Sequence, residues 1–225
     1  MYKRQRHDPR TLLDRGAGGA VVGRTYVLRV LSSLLPLACP GCGRPGPVCP
    51  VCASALDPAP PCTPPPGVDR WSAPFAYTGV VREVLARLKY RGAHAAVGWV
   101  ADAMVVTLEP PLPEVVTWAP TTPGRRRERG FDHAELLARA VARRLRRRCR
   151  GLLVRRPGPP QTGLDRAARL AGPAFRVRGG VPPSVLLVDD VATTGATLTA
   201  AAGALRACGA QAVVAVTAAR TPAPG

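Results

Sequence analysis

The stretch Val185-Leu-Leu-Val-Asp-Asp-Val-Ala-Thr-Thr-Gly-Ala-Thr-Leu198 joins an apolar run to two adjacent carboxylates and then to a loop of small residues. Its four leading aliphatic residues, after Pro182-Pro183-Ser184, predict a strand buried on both faces, as in a parallel sheet. From Ala192 to Thr197 the side chains carry little bulk beyond hydroxyls. Successive backbone N–H groups can therefore close around a phosphate at the start of a helix, where the dipole also favours negative charge. Asp189 and Asp190 would repel a phosphate on its own. They make sense if the same ligand also brings hydroxyl donors, as the sugar of a ribose phosphate does. A plain strand–turn–helix unit capped by an acid would need one acidic residue, not a strand-ending pair followed by Thr-Thr-Gly.

On these residues the segment resembles the phosphoribosyl-diphosphate motif of the type I phosphoribosyltransferases. The resemblance implies that Asp189, Asp190, Ala192, Thr193, Thr194, Gly195, Ala196 and Thr197 hold the phosphoribosyl group, and that Mg²⁺ accompanies the diphosphate. Which side chain, if any, is catalytic it leaves open.

Outward from this stretch, a helix is predicted from Thr197 to Cys208, stopped by Gly209, followed by a strand at Val213-Val214-Ala215-Val216. Together they make a βαβ unit. Upstream, Val81, Val84, Leu85 and Leu88 form one helical stripe, and Ala96, Trp99, Val100, Ala103 and Met104 a second. Val115-Val116-Thr117-Trp118 is a predicted strand, followed by a loop and a helix opening near Phe131 or Asp132. On that helix Leu137, Val141 and Leu145 share a face, with Arg139, Arg143, Arg146 and Arg147 on another. Leu152-Leu153-Val154 is a further strand. Strands alternating with helices predict a parallel sheet covered on both faces, with its ligand beyond the carboxyl ends of the strands.

Four of the seven cysteines fall close together as Cys39-Pro-Gly-Cys42 and Cys49-Pro-Val-Cys52. Two such knuckles are the ligand arrangement of a compact four-thiolate zinc site, closed to substrate and structural in role. A disulfide framework suits secreted mini-proteins, and a redox pair would not need two copies. Cys62 has no assigned role, while Cys149 and Cys208 fall in helical patterns and read as small buried hydrophobes. Residues 1–24 mix charges with Gly-Ala-Gly-Gly and show no sustained period, so a mobile tail is expected there. Tyr26, Val27, Val30, Leu31, Leu34 and Leu35 recur at helical spacing and lead into the cysteines, giving a helix-plus-zinc module over 25–57. Six prolines between Asp57 and Asp69 predict an extended linker over 58–69 that leaves the module independent of the domain at 70–220.

Further motifs narrow the resemblance. Ala119-Pro-Thr-Thr-Pro-Gly-Arg-Arg-Arg-Glu-Arg-Gly-Phe-Asp-His-Ala-Glu-Leu-Leu-Ala138 resembles the ComF family signature, and Gln161-Thr-Gly-Leu-Asp-Arg-Ala-Ala-Arg169 resembles its later loop. Tyr77-Thr-Gly79 to Leu88-Lys-Tyr-Arg-Gly92 fits the family's opening. With the cysteine module, the likeness runs from Val30 to Arg220. It implies a type I phosphoribosyltransferase fold, a parallel sheet flanked by helices, with a small N-terminal zinc ribbon. It also implies a diphosphate contact at Arg129 and Gly130 and a closing loop carrying Gln161, Thr162, Arg166 and Arg169. Two features depart from the pattern: Asp132-His133 stands where the family has Asn-Gln, and Leu170-Ala-Gly-Pro173 is shortened. ComF-like proteins are associated with DNA uptake in competent bacteria alongside a DNA helicase, so the resemblance implies single-stranded nucleic acid and a helicase as partners.

The net charge is +18 and the pI about 11.2, and thirteen arginines against three acids between Arg125 and Arg156 hold more than half of that surplus. A polyanion is one reading and a solvated Arg-rich surface the other. The run Val27 to Ala38 is too short and too polar to span a membrane. Pro36 spoils the lipoprotein look of Leu37-Ala38-Cys39, so the expected compartment is the cytoplasm. His7, His94 and His133 form no catalytic constellation. Two functions stay open: a phosphoribosyl-diphosphate binder working with nucleic acid, and a nucleobase-salvage phosphoribosyltransferase, for which the 4% aromatic content leaves few residues to stack on a base.

Overall fold

Alternation along one strand organises the sheet. In the computed structural model, which describes residue 39 and residues 41–44, 48–87, 94–156 and 173–222, the central strand β7 runs Ser184–Ala192. It lies between β3 (Val115–Trp118) and β8 (Ala212–Arg220), and all three are parallel. Leu186 and Val188 point to one face and Val185 and Leu187 to the other, and all four are fully buried. Both faces therefore need cover, and helices supply it. The first face takes α2 (Gly79–Arg87), α3 (His94–Val106) and α5 (His133–Leu145) through Val81, Val84, Val100, Met104, Leu137 and Val141. The second takes α6 (Ala196–Ala207) through Leu198, Ala201 and Leu205, beside a two-stranded antiparallel ribbon of β5 (Leu153–Arg155) and β6 (Phe175–Val177).

The remaining strands complete a parallel sheet in the order β1, β8, β7, β3, β4, with β1 at Arg70–Ser72, β4 at Arg148–Cys149, and the short β2 (Phe75–Ala76) also pairing with β8. From β3 the chain crosses by α5 to β4 on one side. From β7 it crosses by α6 to β8 on the other. The connections thus diverge between β3 and β7, which opens a crevice at the carboxyl ends of those two strands.

Several boundaries differ from the sequence reading. The strand expected to end at Asp189 continues to Ala192, because the ladder to β8 persists through Val191↔Ala219 and Ala192↔Arg220. The small-residue turn is accordingly shorter, and its helix begins at Ala196. Leu152-Leu153-Val154 does not join the parallel sheet: β5 pairs with β6, a strand the sequence reading passed over, and its residues cover the second face instead. The loop after β3 contains a helix, α4 (Pro123–Arg129), which Thr122 caps and Pro123 initiates. Cys149 is half-buried on β4, and Cys208 is exposed at the C-cap of α6, so neither is a buried helical hydrophobe.

The fold class, a parallel sheet flanked by helices with a four-cysteine cluster on its N-terminal side, is the one expected. A short helix, α1 (Pro50–Ser54), carries the last of those cysteines. The proline-rich stretch is held along its length. Pro58 bridges to Phe75, Asp57 accepts from Thr78 Oγ1 at 2.8 Å, and Arg220 donates to the carbonyls of Pro60 and Pro61. Among the described residues no helix is long and apolar enough to cross a membrane. The expected tail at 1–24 and the helix from Tyr26 to Leu35 lie outside the described residues.

Candidate functional site

The crevice between β3 and β7 is an open cavity of ≈ 330 Å³. Its floor is the end of β7, where Asp189, Asp190 and Val191 arrive; its sides come from Ala119-Pro120-Thr121 after β3, from Asp132, His133 and Ala134 at the start of α5, and from Arg155 at the end of β5. Tyr77 and Arg125 complete the described lining with Thr193 and Thr197. A strand that must be apolar to sit inside the sheet turns polar only where it leaves the core, which puts both carboxylates at the crevice.

Asp189 is buried and accepts from Asp190 N–H at 2.8 Å, while Asp190 accepts from Val191 N–H at 2.7 Å. Burial, and then the neighbouring Asp190 charge, push the Asp189 pKa well above the usual carboxylate range, against the opposing pull of the backbone hydrogen bond. A third carboxylate shares the cavity. Asp132 accepts from Thr121 N–H at 2.8 Å and from Ala134 N–H at 3.1 Å, so it caps α5 and ties the loop after β3 to that helix. Burial raises its pKa, with those backbone donors pulling the other way. Carboxylate oxygens are the donors a hard cation such as Mg²⁺ takes, but among the described residues only the four cysteines draw together as a group able to hold an ion by themselves, so Mg²⁺ here would have to arrive on its ligand.

Beyond Asp189 the turn Thr193-Thr194-Gly195 and the first residues of α6 enclose a second, smaller hollow. Gly195 adopts a left-handed φ of 75° as N-cap and offers no side chain to the helix start. The first-turn N–H groups of α6 are left facing the hollow, with Thr194 Oγ1 accepting weakly from Ala196 N–H at 3.4 Å. A bound anion can satisfy those donors.

The structure thus brings Asp189, Asp190, Ala192, Thr193, Thr194, Gly195, Ala196 and Thr197 into two adjoining hollows that share Asp189. Of the expected diphosphate pair, Arg129 ends α4 and Gly130 is its left-handed C-cap at φ 81°; Arg125, from the first turn of the same helix, lines the cavity. Gln161, Thr162, Arg166 and Arg169 lie outside the described residues. His133 is buried at the start of α5, lining the cavity with its ring edge-on to Phe131 at 4.9 Å. His7 lies outside the described residues. Sequence reasoning assigned no role to Tyr77, Asp132 or Arg155. Arg155 had a visible signal, an arginine pair directly after an apolar run, whereas the convergence of Tyr77 on the same cavity follows from β2 pairing with β8.

The second candidate site is the cysteine cluster. The sulfurs of Cys39, Cys42, Cys49 and Cys52 all lie within 4.8 Å of one another, and Cys42 Sγ stands 3.7 Å from Cys49 Sγ. A tetrahedral zinc with Zn–S near 2.3 Å requires sulfurs roughly 3.8 Å apart, so the cluster fits that ion after a small contraction. Cys39 Sγ accepts from Cys49 N–H and Cys49 Sγ from Cys52 N–H, both at 3.4 Å. Burial raises the Cys39 thiol, but hydrogen bonds from the Cys42, Cys49 and Gly41 backbone outweigh it and bring its pKa down to about 6. Gly41 is required where it stands, since a Cβ there would meet Cys52 Sγ at 2.6 Å.

No protein-family model matches the sequence, and no curated protein matches it. Among solved structures the fold is similar to an allosteric regulatory enzyme of purine biosynthesis, at 19% identity over 60% of this chain and 30% of that one, with a TM-score of 0.42. The chain therefore spans under a third of that enzyme's length. It is also similar to a purine phosphoribosyltransferase from Pyrococcus horikoshii, at 16% identity over 56% and 82% of the two chains with a TM-score of 0.36. An adenine phosphoribosyltransferase from Leishmania tarentolae matches at 20% identity over 54% and 55%, with a TM-score of 0.34. With identities and TM-scores this low, the reading of the site rests on its own geometry.

Proposed function

We propose that this chain binds phosphoribosyl diphosphate or a closely related phosphosugar at the crevice between β3 and β7. The observation that carries the reading is the end of β7, where two carboxylates sit beside a helix N-terminus that no N-cap side chain satisfies. In this reading the turn at 193–197 takes the sugar phosphate and Asp189 and Asp190 accept from the ribose hydroxyls. Mg²⁺ carried on the diphosphate supplies charge neutralisation near the three carboxylates. Calorimetric titration with phosphoribosyl diphosphate and Mg²⁺ tests the reading, and absence of binding overturns it. A pyrophosphate-release assay across candidate bases then separates a binder from a salvage-type transferase, in which positioning and charge neutralisation would do most of the catalysis.

The resemblance to the ComF family belongs to the same reading, with the cysteine cluster as its zinc ribbon. A role with single-stranded nucleic acid is favoured by one specific feature. Arg143, Arg146, Arg147 and Arg148 are all exposed at the C-terminal end of α5 and on the edge strand β4, and among the described residues none forms an ion pair. Such a row can track a phosphate backbone.

A further inference from the structure

Among the described residues that line the larger hollow, Tyr77 alone precedes β3 in the chain. Its position is set from two sides. On the sheet side β2 runs beside the end of β8, with Phe75 opposite Ala219 and Ala76 opposite Arg220, and Tyr77 N–H donates to Arg220 O at 2.7 Å. On the other side lies the segment that leaves α1, the helix carrying Cys52. Ala76 N–H donates to Asp57 O at 2.9 Å, Ala59 N–H donates to Pro74 O at 3.1 Å, and Pro58 bridges antiparallel to Phe75 between them. Thr78 Oγ1 adds a bond to Asp57 Oδ2 at 2.8 Å. Leu56, the residue before Asp57, packs against the same core cluster as Phe75, Tyr77 and Val80.

The first cysteine knuckle touches the same place. A Cβ on Gly41, between Cys39 and Cys42, would stand 2.6 Å from Cys52 Sγ and 3.2 Å from Cγ1 of Val80, the second residue of α2. Residues 76–80 are thus held by the chain that follows one knuckle and by the turn of the other. The knuckles share no disulfide, which leaves metal binding to join them. An ion shared by the four sulfurs fixes the knuckles to each other, and with them both of these contacts.

We infer that the cysteine cluster and the crevice are coupled: metal in the cluster holds residues 76–80 so that Tyr77 stands in place in the larger hollow, and metal loss frees that wall and weakens the ligand. The inference rests on the phosphosugar reading for the ligand and goes beyond it, because it gives the cysteine module a part in binding at a site that none of its residues lines. A wall ordered before the ligand arrives adds no ordering cost to binding. Such coupling is reciprocal, so the ligand must tighten the metal by the factor by which the metal tightens the ligand.

Calorimetry with phosphoribosyl diphosphate and Mg²⁺ tests it on zinc-loaded protein, on zinc-free protein kept reduced, and on zinc-loaded Asp57→Ala, with hydrogen exchange at residues 76–80 read in parallel. Asp57 is exposed and outside both hollows, so its side chain can be removed without touching the site. The zinc-free protein is expected to bind about fivefold or more weakly, and competition for zinc by a chromophoric chelator should report the same factor when phosphoribosyl diphosphate is added. Exchange at 76–80 should rise on zinc removal, with or without ligand. Zinc-loaded Asp57→Ala, which keeps the metal and loses the Thr78 bond, should bind between the two states and show a smaller zinc effect. Equal affinities with and without zinc, or a zinc effect that Asp57→Ala leaves at full size, overturn the inference. Should the zinc-free chain lose the sheet's melting transition, zinc-loaded Asp57→Ala decides alone: undiminished binding with unchanged exchange overturns the coupling. A zinc-loaded parent that binds no phosphoribosyl diphosphate overturns the phosphosugar reading, and exchange at 76–80 then decides the link from the cluster to Tyr77, which fails if zinc leaves it unchanged.

Discussion

Asp189 sits where its neutral form is favoured, and that makes the apo site a source of strain. Because folding raises its pKa, the stability this group contributes is fully present below the unfolded carboxylate value of about 3.9 and is lost as pH rises through the folded value. Above the unfolded value that contribution is progressively lost, so at neutral pH Asp189 lowers the stability of the ligand-free protein. Asp189→Asn should melt higher than the parent at pH 7, and the advantage should shrink as the pH is lowered; melting curves across that range check it, and a constant difference would contradict the burial argument. Function responds oppositely. Replacing Asp189 and Asp190 together by Asn keeps size and removes the charged acceptors, so affinity for phosphoribosyl diphosphate should fall at least about tenfold, or roughly 1.4 kcal/mol. Unchanged titration curves in the double variant would refute the ribose-hydroxyl role.

Among the elements, the junction of β7 with α6 carries the tightest constraint. Gly195 takes a left-handed φ of 75°, and a Cβ there would also stand 3.1 Å from Pro65 Cβ. The left-handed conformation alone costs a non-glycine residue about 1–2 kcal/mol. Gly195→Ala is thus expected to lower stability by that order in denaturant titration, and to weaken ribose 5-phosphate binding because the turn must open to relieve the contact with Pro65. A variant as stable as the parent would mean the turn is looser than its geometry implies. The same contact shows what the proline-rich stretch does: it backs the turn at 193–195, and just beyond it Arg206 of α6 bonds Gly67 O at 2.7 Å and Asp69 at 2.6 Å.

At the scale of the whole molecule the cysteine cluster and the basic face are the features to test. One zinc per chain is expected in reduced protein, and Cys42→Ser should release it and loosen α1, while the main transition of the parallel sheet survives because none of the sheet's strands contains a ligand. Gly41 packs near Val80. Hydrogen exchange should therefore rise at the start of α2 as well, and metal analysis showing no zinc would remove the site. On the basic face, affinity for single strands should fall with log salt by about 0.7 per phosphate neutralised. Replacing Arg143, Arg146 and Arg147 by Gln should then shallow that slope by up to about two units. Identical slopes for the variant and the parent would leave these arginines as solvated surface and the pocket as the supported function.

Local chemistry made β7, its acid pair, the following turn and the two cysteine knuckles legible in the one-dimensional chain. Each is a contiguous pattern whose physical demand is met within a dozen or so residues: an apolar run must be buried, a run of small residues lets backbone donors converge, and two adjacent thiol pairs reach one ion. Alternation of apolar and helical segments likewise announced a parallel sheet covered on both faces. What only the tertiary structure decided is which distant residues share the crevice. Leu152-Leu153-Val154 carries no mark that it leaves the parallel sheet for a ribbon, since strand periodicity is blind to the partner strand. That choice is what delivers Arg155 to Asp189, just as the pairing of β2 with β8 delivers Tyr77. The proline-rich stretch reads as a spacer because proline lacks an N–H. Yet its carbonyls remain acceptors, and Arg220, buried at the far end of β8, fastens them to the sheet.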